Sequence, residues 1–124
     1  MRKVFLSIAL IFASFLSLQA QRVPKIEVYF QRYHSLQDLN NIQGELKAMG
    51  IQLEYEQIQF DEQGRLQGLG IRVDCKDGFS GSAYVSPVPE DLSFGFLRDY
   101  REHAAYPFLI GNIGSSRNTA PKKE

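Results

Sequence analysis

A second cysteine is missing. Cys75 stands alone in 124 residues, so no internal disulfide can close, and the chain must hold itself together by burial. Histidine is scarce as well. His34 and His103 are the only two, and neither has another His or Cys at the spacing a zinc site uses. No metal and no other cofactor is expected. There is no Gly-rich loop followed by a Lys-Ser or Lys-Thr pair, so nothing cradles a phosphate; Gly64, Gly68 and Gly70 suit turn and strand roles. Charge of one sign is lacking too: 14 Lys and Arg balance 14 Asp and Glu. That balance argues against nucleic acid as a partner, which would call for a basic patch, and against an anionic membrane surface. No internal repeat is present.

One long apolar run exists, at the start. Arg2 and Lys3 precede Val4 to Leu18, which is broken only by Ser7, Ser14 and Ser17, and Ala20 supplies a small residue for cleavage. Residues 1–20 read as a secretory signal peptide. The run is about 15 residues, shorter than the ~20 that span a bilayer, which disfavours an uncleaved anchor. No cysteine near the cut offers a lipid attachment point. The expected location is periplasmic or secreted, with no membrane attachment after cleavage. Without Arg2 and Lys3 the balance is 12 basic to 14 acidic residues, a formal charge of −2. The expected organisation is a single α+β domain over residues 21–113 and a polar, disordered tail over residues 114–124.

Lys25 to Phe30 alternates, with Ile26, Val28 and Phe30 on one face, and predicts a first strand. Ser35 is a suitable N-cap, with Asp38 three residues on as the acidic arm of a capping box. Leu36, Leu39, Ile42, Leu46 and Met49 then form one apolar stripe of a helix that Gly50 ends. Ile51, Leu53 and Tyr55 share a face of a second strand. Ile58 and Phe60 are out of phase with them, which predicts a bulge near Glu56-Gln57. Asp61 to Gly64 predicts a hairpin turn. A third strand carries Leu69, Ile71, Val73 and Cys75 inward. A turn at Lys76 to Gly78 leads to a fourth strand over Gly81 to Ser86. Phe94, Phe96, Tyr100, Tyr106 and Phe108 make the following segment aromatic-rich, with a short helix suggested over Leu97 to Ala105.

Connection lengths then give a topology. A helix between the first two strands suggests a parallel, right-handed crossover, and tight turns make strands two, three and four antiparallel neighbours. The predicted fold is β-α-β-β-β, one helix packed on a four-stranded mixed sheet of order 1-2-3-4. A split order remains open if the second turn is not a hairpin.

Ser35-Leu36-Gln37-Asp38-Leu39, Glu45-Leu46-Lys47-Ala48-Met49-Gly50-Ile51, Phe60-Asp61-Glu62-Gln63-Gly64-Arg65-Leu66 and Phe94-Gly95-Phe96 resemble a small exported domain of Bacteroidota. The resemblance covers Lys25 to Ile113. That domain also forms the external C-terminal part of BlaR/MecR-like membrane metallopeptidases. No His-Glu-x-x-His and no set of transmembrane helices accompanies it here. The resemblance implies an extracytoplasmic sensing or binding role and carries over no catalytic residue.

In the predicted sheet the helix hides Ile26, Val28, Leu53, Ile71 and Val85. Glu27, Tyr29, Gln52, Glu54, Arg72, Asp74, Ser82 and Tyr84 then face away, either bare or covered by residues 94–108. Tyrosine and arginine are enriched at recognition surfaces, so Tyr29, Glu54, Arg72 and Tyr84 are the candidate binding residues. The expected role is a non-catalytic binding module, with a protein of the cell envelope as partner. The alternative is a small hydrolase using His103 or Cys75 with Asp99. Against it, Cys75 shares the phase of core residues, where a thiol behaves as a small hydrophobe.

Overall fold

The computed structural model of the chain describes residues 23–114. The signal-peptide reading over residues 1–20 and all but the first residue of the expected tail fall outside them. The described chain forms β1 (Lys25–Tyr29), α1 (Leu36–Ala48), β2 (Gln52–Phe60), β3 (Leu66–Asp74), β4 (Ser80–Val85), β5 (Gly95–Asp99) and β6 (Phe108–Gly111).

The local signals form as their residues require. Ser35 accepts from the Asp38 amide while the Asp38 carboxylate accepts from the Ser35 amide, a closed capping box. At the other end Gly50 adopts φ +88°. The Gly50 and Ile51 amides donate to Lys47 and Leu46 carbonyls, the two bonds of a Schellman stop. The pairing of β2 with β3 shifts between Glu56 and Gln59, with Gln57 at φ 56°, so the expected bulge is present. Asp61 closes the first hairpin by accepting the Gln63 and Arg65 amides, each at 2.9 Å. In the second, Cys75 donates to the Phe79 carbonyl, with Lys76 and Gly78 at positive φ.

The single four-stranded sheet is not what forms. There are two three-stranded antiparallel sheets, of order β1-β5-β6 and β2-β3-β4. β1 pairs with β5, Tyr29 opposite Gly95 and Lys25 opposite Asp99. The crossover rule governs strands of one sheet; here α1 carries the chain from one sheet to the other. The short helix suggested over Leu97 to Ala105 gives way to β5. Its five residues are all buried, because it is the middle strand. Gly95 makes the pairing feasible: a Cβ there would overlap the Val28 carbonyl oxygen and lie 2.9 Å from the Tyr29 Cα.

The two sheets and the helix share one core. Ile26, Phe30, Leu46, Leu53, Ile71 and Phe96 are among its buried side chains. Phe30 packs edge-on against Tyr55 and tilts against Phe94, and the Tyr55 hydroxyl donates to the Leu39 carbonyl at 2.6 Å. Only part of the predicted helical stripe is inside: Leu39 and Leu46 are buried, whereas Leu36 and Met49 are exposed. The sheets meet along β4 and β6, where a Cβ on Gly81 would sit 3.1 Å from Ile110 Cγ2. The inward face of β4 therefore packs against β6.

Arg98 joins the sheets chemically. It lies on β5 and is buried. Its Nε and Nη2 reach Asp77 Oδ2 at 2.9 and 2.8 Å. Its Nη1 donates to the Asp99 and Pro107 carbonyls. The Phe79 and Tyr100 rings lie 4.4 and 4.5 Å from its guanidinium carbon. A buried cation is tolerable only with this degree of pairing.

Candidate functional site

Strand alternation places Glu54 and Glu56 of β2, Arg72 and Asp74 of β3, and Ser82 and Tyr84 of β4 on the face of the β2-β3-β4 sheet opposite the core. The register sets them in rows. Glu54, Arg72 and Ser82 lie across from one another, and Glu56, Gly70 and Tyr84 form the next row. Arg72 pairs with Glu54 at 3.3 Å and with Glu56. Gln52 Nε2 donates to the other oxygen of Glu54 at 2.7 Å. Arg72, Glu54, Glu56 and Tyr84 all remain about half open to solvent, so residues 94–108 do not cover them. Those residues supply β5 and lead into β6 instead.

Glycine shapes this face. Gly68 and Gly70 are buried although they point outward between Gln59, Glu56 and Tyr84. A Cβ on Gly70 would meet the Glu56 carbonyl oxygen at 2.8 Å, and one on Gly68 would meet Tyr84 Oη at 3.0 Å. Glycine inside a strand marks close approach by another group, here Glu56 at Gly70 and the Gln59 and Tyr84 side chains at Gly68.

Three of the four candidate residues, Glu54, Arg72 and Tyr84, thus come together. Tyr29 does not join them. It lies on β1 in the other sheet, and its hydroxyl donates to Glu27 at 3.1 Å. It borders a cleft of about 530 Å³ with Leu97 and Tyr106. The charges of that cleft are engaged with one another: Lys25 with Glu27 at 2.9 Å and Arg101 with Asp99 at 2.7 Å. Arg101 hydrogen bonds hold the Asp99 carboxyl at about 2, well below its ordinary value. A larger groove of about 780 Å³ separates α1 from the start of β2, where Gln43 Nε2 donates to the Leu53 carbonyl.

The residues of the hydrolase alternative sit in unfavourable settings. Cys75 is buried and unpaired; burial first, then the Asp77 carboxylate, pushes its thiol up to about 11. A nucleophilic thiol needs the opposite shift. Asp99 is held ionised by Arg101. His103 is exposed, and His34 Nδ1 accepts the Gln31 amide at 3.0 Å. Among the described residues no group of three or more His, Cys, Asp or Glu is placed to hold a metal ion.

Sequence reasoning missed Gln59 and the two glycines as parts of the face. The Gly-Leu-Gly spacing in β3 was the available signal. Comparison with family models, with curated proteins and with solved structures returns no match to this chain.

Proposed function

We propose that the chain is an extracytoplasmic, non-catalytic binding module whose recognition surface is the outer face of the β2-β3-β4 sheet. One observation carries the reading: an exposed tyrosine lies beside a Glu-Arg-Glu network on a face that no other described element covers. Tyrosine and arginine contribute disproportionately to binding when water is excluded around them. The ion pairs set Arg72 between Glu54 and Glu56, so donor and acceptors stand side by side on the face. The N-terminal apolar run supports an extracytoplasmic site of action. The raised thiol of Cys75 and the committed carboxylate of Asp99 support a non-catalytic role.

Cosedimentation with the envelope fraction of the cells that make the protein tests the proposal. The wild type is expected to sediment with that fraction, and Tyr84→Ala combined with Arg72→Ala to remain in solution. Tyr29→Phe is expected to behave as wild type. Sedimentation of the double variant with wild-type affinity would contradict the assignment of the face.

A further inference from the structure

The rows Glu54-Arg72-Ser82 and Glu56-Gly70-Tyr84 are two residues apart, about 6.8 Å at the ~3.4 Å rise of an antiparallel strand. Tyr84 Oη and Gln59 Oε1 lie 3.0 and 2.5 Å from the Cβ position of Gly68. From its place opposite Gly70 the phenol therefore reaches along β3 toward Gly68. Both glycines are buried while Tyr84 is 50% exposed. About half of the Tyr84 surface is therefore open to a ligand.

The surroundings narrow what can bind there. Beside the two rows, Gln52, Gln59 and Ser80 are exposed and polar. A protein partner calls for a cluster of apolar anchors, which one ring does not supply. A polyanion calls for uncompensated cations, and Arg72 is already neutralised by Glu54 and Glu56, a trio of net charge −1. A neutral sugar meets both conditions. The C–H face of a pyranose stacks on an open aromatic ring. Its hydroxyls donate to carboxylates and accept from a guanidinium.

The geometry points to a neutral saccharide as the ligand of this face, stacked on Tyr84 and hydrogen-bonded by Glu54, Glu56 and Arg72. The inference rests on the reading of this face as the recognition surface. In the test, amide shifts of the isotope-labelled full chain are followed during titration with cello-, malto-, manno- and chitotetraose, with a galacturonate tetrasaccharide as the anionic control. At least one neutral member is expected to give saturable shifts at Gly68, Gly70, Arg72 and Tyr84 in the millimolar range, while the anionic control gives none. Tyr84→Ala is expected to weaken binding by about tenfold or more, and Tyr84→Phe, which keeps the ring, to retain it. Absence of shifts with every neutral member overturns the saccharide. If envelope cosedimentation still depends on Arg72 and Tyr84 in that case, the face stands as a surface for another class of partner. Saccharide shifts centred on Tyr29 and Tyr106 would overturn both readings. Equal binding of the galacturonate control would overturn neutrality as the basis of selection.

Discussion

Replacing Arg98 with methionine tests how the two sheets are joined. Arg98 is 8% exposed, and its partners come from both sheets. Asp77 and Phe79 belong to the turn between β3 and β4; the Asp99 and Pro107 carbonyls and the Tyr100 ring belong to β5 and the loop after it. Methionine fills part of the volume between the rings but donates no hydrogen bond. Two buried or part-buried carbonyls lose a charged donor, and Asp77 loses its counter-ion. Breaking a buried pair of this kind costs about 3–5 kcal/mol. That is a large part of the ~5–15 kcal/mol that holds a small domain folded. The matched control is Arg72→Ala, whose ion pairs are about half exposed and are worth less than about 1 kcal/mol. Urea unfolding gives both costs. A double-mutant cycle with Asp77→Ala should return a coupling of about 1.5–3 kcal/mol. Cys75 supplies a second readout. It lies close enough to Asp77 and Arg98 to feel both charges, so labelling of its buried thiol should accelerate when the joint loosens. If Arg98→Met costs no more than Arg72→Ala and leaves Cys75 equally protected, the sheets are held by apolar packing alone.

Two glycines should respond in opposite directions in the same urea assay. Nothing lies within 4 Å of a Cβ on Gly44, so Gly44→Ala should stabilise α1 by about 0.5–1 kcal/mol; a loss would mean that close approach at this position matters. A Cβ on Gly95 meets only β1 backbone, so Gly95→Ala should cost at least about 3 kcal/mol, and a neutral result would refute the β1-β5 register. Asp99 should shape the acid limb of stability. Hydrogen bonds from the Arg101 side chain, then from the Arg101 amide, hold its carboxyl at about 2 against an ordinary 3.8. Its contribution is complete above 3.8 and is lost as pH falls toward 2. Asp99→Asn should therefore flatten the urea midpoint across that window, and an unchanged slope would show that Arg101 does not hold the carboxylate.

Periodicity carried the local structure well. The capping box of Ser35, the stop at Gly50, the bulge beside Gln57 and the inward row of Leu69, Ile71, Val73 and Cys75 depend on neighbours a few residues away, and all form as their residues suggest. Which strand lies next to which was not legible. Alternation in Lys25 to Phe30 says which side is buried, but the partner of β1 is β5, far along the chain. β5 hid itself because a middle strand buried on both faces does not alternate, and because Arg98 and Asp99 read as surface residues until their partners are known. Tyr29 was placed with Glu54, Arg72 and Tyr84 through that error. The other three share a face because their grouping depended only on two tight hairpins.

The claim at the centre of this account is that recognition takes place on the open side of Tyr84, and tyrosine footprinting tests it most directly. Tyr33 is 67% exposed and Tyr84 is 50% exposed, so both should be oxidised readily in the purified protein. With the envelope fraction present, Tyr84 should become protected while Tyr33 reacts as before. Equal reactivity of the two tyrosines, with protein bound to that fraction, would contradict the claim.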